Sequence, residues 1–208
     1  MKHQLKIHNF YNFGYLSTKL PESLYKKLYK ECSEARKNTK LKTGLSSTGV
    51  PEHFYIEKNK EELLEFIKFC HQTYEQNFPG VSDLKILTDD LPFKYGAPWV
   101  NLQKQHEFIP CHNHDGVLSY SIWMQIPYDS RGQKYAGNFN FLYQDILGRT
   151  RTEVINLSKK DEGTLLMFPS KLSHIVYPFY KNKKIRMAVS GNIRFNSKPL
   201  VLKKINLQ

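Results

Sequence analysis

The chain has 208 residues, 40% of them apolar and 13% aromatic, which is material for one sizeable core and argues against disorder. A formal charge of +12 permits attraction to nucleic acid or an acidic protein, but the lysines are spread along the whole sequence, and a solvated lysine-rich surface is the favoured reading. No run approaches the roughly 18 apolar residues that span a bilayer, the first residues lack the apolar stretch of a secretion signal, and Cys32, Cys70 and Cys111 form no CxxC pair, so neither a disulfide framework nor a cysteine zinc site is indicated and a reducing cytoplasm is expected.

In chain order, Pro21 suits the first position of a helix, with Glu22 in its opening turn. Leu24, Leu28 and Cys32 recur every four residues, with Tyr25 and Tyr29 beside them, which predicts an amphipathic helix. A second helix is predicted over residues 60–76, where Leu63, Phe66, Ile67, Cys70 and Tyr74 share a face and Pro79-Gly80 ends it. His71 lies beside that face and is expected to pack there rather than bind metal. The stretch 37–58, with Ser46-Ser47-Thr48-Gly49, and the turn 128–137 carry the polar, flexible residues of loops that gate a pocket.

From about residue 95 the texture changes. Strands are predicted over 99–103, 118–126 (stopped by Pro127), 137–143, 151–157, 164–168, 175–177 and 185–195. Short strands at regular spacing argue for a sandwich or jelly roll. The expected fold is α+β in a single domain over residues 1–208. A mainly helical part (1–94) packs on a β core (95–196), and residues 197–208 form a tail.

Residues i and i+2 of a strand point the same way. His112 and His114 can therefore converge on one ion, with Asn113 facing away. Neutral imidazole is the commonest metal ligand. His174, after the Phe168-Pro169-Ser170 turn and at the mouth of a strand, is the candidate third ligand. Taken singly, each has a bland alternative: a solvated polar turn for the pair, a structural histidine for His174. His3, His8, His53, His71 and His106 receive no functional weight.

Arg186 shifts that balance. Arg186, Ala188, Ser190 and Asn192 share one strand face, and Ile185, Met187 and Val189 the other. An inward arginine beside small residues needs an anionic partner, and a bound carboxylate gripped by the guanidinium fork would serve. The alternative is a surface face on which Arg186 pairs with a neighbouring acid. Asn101 and Gln103 share a face and can donate hydrogen bonds to a cosubstrate or merely pair across strands. Ser119, Trp123 and Gln125 are candidate wall residues, Trp123 more readily core; Ser119 and Ser190 join Asn101 as candidate cosubstrate contacts.

These residues resemble the Fe(II)- and 2-oxoglutarate-dependent oxygenase superfamily, whose fold is a double-stranded β-helix, a cupin-like jelly roll. The likeness is greatest to its short bacterial and phage-type members. It rests on Trp99-Val100-Asn101, His112-Asn113-His114, Leu118-Ser119-Tyr120, Gly163 through Ser170, His174 and Arg186-Met187-Ala188, and covers about residues 95–195. It implies His112 and His174 as iron ligands and Arg186 on the distal carboxylate of 2-oxoglutarate. The superfamily's usual third ligand is the acid of His-x-Asp. Here that position is His114, and the acid falls one residue later at Asp115. His114 is preferred, since the short members also show histidine there; Asp115, swung in through a turn at Gly116, is the alternative. The implied activity is hydroxylation of an unidentified substrate, with O2 consumed and 2-oxoglutarate decarboxylated to succinate, in a bacterial cytoplasm or that of a phage host. Two rival readings stand beside it: a cupin-like three-histidine metalloenzyme that does not use 2-oxoglutarate, and a non-catalytic basic binding module.

Overall fold

The computed structural model describes residues 12–43, 51–80, 92–132 and 135–196. Its elements in chain order are Leu16–Lys19 (β1), Glu22–Glu34 (α1), Glu52–Tyr55 (β2), Lys60–Asn77 (α2), Phe93–Tyr95 (β3), Trp99–Gln103 (β4), Ile109–His112 (β5), Leu118–Gln125 (β6), Phe139–Gln144 (β7), Thr150–Ile155 (β8), Thr164–Pro169 (β9), Ser173–Val176 (β10) and Arg186–Phe195 (β11). A seven-stranded antiparallel sheet runs β1-β9-β6-β11-β4-β2, with β3 paired to the end of β11, and a four-stranded sheet runs β5-β10-β7-β8. This is the α+β, double-stranded β-helix architecture expected from the sequence.

Two cores follow from the period of the strands. Along β6, Leu118, Tyr120, Ile122 and Met124 point to the helices and meet Leu24, Leu28, Leu63 and Ile67. Trp123 points the other way, into a second cluster between the sheets with Phe139, Phe141, Phe168, Val176 and Ala188. Complete burial of a side chain such as Leu28 or Ile67 contributes roughly 1.5–3 kcal/mol.

The helices are tied to each other as well as to the sheet. No side chain at Asn59 caps α2. Instead Glu31 of α1 reaches across, and its carboxylate accepts the backbone N–H groups of Glu57, Lys58 and Asn59 and the Asn59 side-chain amide at 2.8–3.0 Å. A negative charge at a helix N-terminus is favourable for the orphan N–H groups there. His71 packs as expected: it is buried, its Nδ1 lies 2.8 Å from the Tyr95 hydroxyl, and Phe93 meets it edge-on.

Several expectations need correction. Pro21 sits one residue before α1. Strands β1, β2, β3 and β5 were not anticipated, and β1 and β2 place the N-terminal part at both edges of the large sheet beside its helices. The β10 strand begins at Ser173, so His174 lies within a strand rather than at its mouth. The Ser46–Gly49 stretch and residues 197–208 lie outside the described residues. In the other expected gating turn, Tyr128 stacks on Phe179 and donates to the Gly137 carbonyl. No described helix is long and apolar enough to cross a membrane.

Candidate metal centre

His112 and His174 stand opposite each other in the register of β5 and β10, and their ring centroids lie 4.2 Å apart. His114 reaches them by another route. The β5 strand has ended, and the backbone N–H of His114 donates to the Ser170 carbonyl at 2.9 Å, which pins the loop against the turn before β10. Its ring is 5.0 Å from that of His112 and 5.1 Å from that of His174. One ligand atom from each histidine lies within 4.8 Å of the others. Because the strand stops at His112, Asn113 does not face away but borders the cavity.

The rings are oriented for ligation. Nδ1 of His112 is 2.8 Å from the Pro110 carbonyl, and Nδ1 of His174 is 3.1 Å from that of Leu172. A carbonyl takes a proton and cannot give one, so Nδ1–H is the donor and Nε2 is the free lone pair. Such a bond on the far nitrogen is the usual support of a metal-ligating histidine. Burial, reinforced by the neighbouring His112, pushes His114 down to about 4 and His174 down to about 3. Both are uncharged at neutral pH, the form a metal needs. Asp115 stands outside the cluster: its side chain is 95% exposed and pairs with Lys171 at 3.2 Å. Three convergent imidazoles, two of them with oriented rings, suit Fe(II), Zn(II) or a similar ion.

The cluster opens on a cavity of about 630 Å³ between the sheets. Arg186 lines it and is 3% exposed. No carboxylate pairs with it among the described residues; Nη1 donates to Gln103 Oε1 at 3.3 Å, and Nε has no partner. A buried guanidinium without an anion is costly, and a ligand carboxylate fits the need.

Other candidates sort differently. Asn101 and Ser190 border the cavity but are committed to the wall: the Asn101 amide donates to Ala188 O at 3.2 Å and Ser190 Oγ at 3.0 Å, and its oxygen accepts from Trp99 Nε1. Ser119 is not part of the wall. Its hydroxyl lies 2.9 Å from Ser170 Oγ and donates to Asn192 Oδ1 at 2.8 Å, and Ser121, two residues on, borders the cavity instead. Trp123 is core, edge-on to Phe139. Gln125 bonds Tyr29 and the Ile185 carbonyl, away from the cavity.

The sequence reading missed two wall residues on β2. His53 and Tyr55 alternate with buried Phe54 and face the cavity. Neither ring nitrogen of His53 has a hydrogen bond among the described residues, and burial, with His112 adding to it, lowers its pKa. The only signal was period-two alternation over four residues, too short to distinguish from loop.

Residues 97–192 match a protein-family model described as putative 2OG-Fe(II) oxygenase. In fold the chain is similar to a Pseudomonas putida prolyl-4-hydroxylase, with TM-score 0.58 and 17% identity over 89% of this chain and 94% of that one. It is also similar to a viral collagen prolyl hydroxylase from Paramecium Bursaria Chlorella virus-1, with TM-score 0.53 and 14% identity over 88% and 96%. A third likeness is to a Trichoplax adhaerens prolyl hydroxylase solved with a peptide fragment of hypoxia inducible factor, with TM-score 0.55 and 12% identity over 88% and 83%. No curated protein matches the chain in sequence. At these identities the solved structures bear on the fold alone.

Proposed function

We propose, on the premise that this chain belongs through its β core to the Fe(II)- and 2-oxoglutarate-dependent oxygenase superfamily, that it hydroxylates a C–H bond of a substrate held in the cavity, with 2-oxoglutarate decarboxylated to succinate. In this reading His112, His114 and His174 hold the iron, and Arg186 anchors the distal carboxylate of 2-oxoglutarate. The iron, when bound, supplies the activation of O2. The protein's own part is positional. The Pro110 and Leu172 carbonyls fix two imidazoles, Ser170 fixes the loop of the third, and Phe139 and Phe168 pack against His174 and keep that side dry. The choice of hydroxylation follows from the superfamily reading of the sequence motifs, and the substrate stays unidentified.

The observation that carries the reading is a buried arginine, with no anionic partner among the described residues, lining the same cavity as three convergent histidines. A three-histidine metalloenzyme that ignored 2-oxoglutarate would leave Arg186 without a counter-charge. Succinate release from 2-oxoglutarate, in air and under argon, tests this. Oxygen-dependent release by the wild type that is lost in His174→Ala is expected. Equal turnover in the variant rejects the assignment. Failure of 2-oxoglutarate to raise the melting temperature of the Fe(II)-loaded protein favours the metalloenzyme without it.

A further inference from the structure

Gln103 and Arg186 face each other across β4 and β11, at 2% and 3% exposure. An arginine can only donate, so the oxygen of the Gln103 amide must turn toward it, and its Nε2 must point away. That nitrogen donates to the Glu107 carbonyl at 2.5 Å. The carbonyl is presented by a tight turn just after β4. There the Glu107 side chain accepts the Lys104 N–H at 2.7 Å, and the Glu107 N–H reaches back to Lys104 O. His106 holds a left-handed backbone, φ 69°, and donates its N–H to Phe179 O at 3.0 Å. A non-glycine residue with positive φ is uncommon and persists where its surroundings hold it. One end of Gln103 is therefore fixed by the backbone, and the other end fixes the guanidinium.

The chemistry of that fixing is selective. A carboxylate at position 103 would orient Arg186 equally well but would neutralise it. A neutral amide orients the guanidinium and leaves its positive charge without a carboxylate partner among the described residues. We propose that Gln103, clamped by the 104–107 turn, is a positioning residue that reserves the charge of Arg186 for the ligand and so makes the pocket select 2-oxo acids with a distal carboxylate. This deepens, and rests on, the reading of Arg186 as the anchor of 2-oxoglutarate.

The test compares 2-oxoglutarate with 2-oxopentanoate, the same chain ending in a methyl group. Dissociation constants are measured by calorimetry on the Fe(II)-loaded full-length protein under argon, so no turnover is involved. Wild type is expected to prefer 2-oxoglutarate by about 100-fold. Gln103→Glu places the counter-charge inside the protein and is expected to cut that preference at least about tenfold, with 2-oxopentanoate binding little changed. Gln103→Met removes the hydrogen bonds without adding charge. It serves if the Glu variant does not fold, and it is expected to weaken 2-oxoglutarate at least about threefold while leaving 2-oxopentanoate unchanged. Undiminished preference in a folded Glu variant, or wild-type constants in the Met variant, overturns the role of Gln103 alone. Absence of 2-oxoglutarate binding to the wild type overturns it together with the function proposed above.

Discussion

The two faces of the large sheet are made by alternate residues of the same strands, yet they have opposite chemistry. Toward the helices stand Val100, Leu102, Leu118, Ile122, Met124, Met187, Val189 and Ile193, all buried and apolar. Toward the small sheet stand Asn101, Gln103, Ser121, Arg186, Ser190 and Asn192. The first face is the source of stability. The second holds a polar cavity that a stability-seeking sequence would fill with carbon. Period-two alternation lets one strand serve both ends without compromise, and the helices are what make this workable, since they give the apolar face something to bury against.

The comparison is sharpest at the proposed metal ligands. His174→Ala is expected to reduce Fe(II) affinity by more than about 100-fold, beyond the 10–100-fold typical of supporting residues, with the metal-free melting temperature held or raised; anaerobic metal titration and calorimetry measure both. Arg186→Met should weaken 2-oxoglutarate binding by about 2–5 kcal/mol and leave Fe(II) affinity within about twofold. On the other face, Ile122→Ala is expected to cost about 2–5 kcal/mol in urea unfolding and to leave both affinities near wild type at low temperature. A loss of metal binding in parallel with stability would show that the two faces are not independent.

Acid should act on the cavity face first. His114 and His174 are held near 4 and 3, below the ordinary 6.5. The unfolded chain therefore takes up protons that the native state refuses. Stability of the metal-free protein is full above pH 6.5 and falls as pH drops toward 4, by at most about 1.4 kcal/mol per pH unit for each histidine. Urea unfolding at pH 7, 6 and 5 should show this slope, and His174→Gln should flatten it. The smallest effect is expected at His53: replacing its unbonded imidazole by Phe should raise stability by about 1 kcal/mol. A drop in melting temperature would mean that the ring is ordinary packing.

How much of this was legible depends on the length of the signal. Strands β6, β9 and β11 and both helices carry enough periodic residues to be read directly. The β1, β2 and β3 strands have three or four residues each and are defined by the neighbours they pair with. The histidines and Arg186 stood out because few residue sets share their chemistry. Their convergence at His114, however, comes from a loop tied to Ser170 rather than from strand alternation. The partnership of Asn101 with Ser190 was not legible, because it depends on the register that sets Asn101 opposite Ala188. For the same reason Ser119 could not be told from Ser121: only the depth at which β6 passes the cavity separates them.

The direct opposition of His112 and His174 has a mechanical corollary. The β5 strand is four residues long and forms an outer margin of the small sheet, joined to it among the described residues only through β10. An ion gripped from both strands acts as a rivet at that margin, and its binding energy is added to the cohesion of the sheet. If His112 and His174 hold iron as proposed, the tightness of the seam would follow iron supply, with the starved protein loosest at the site itself.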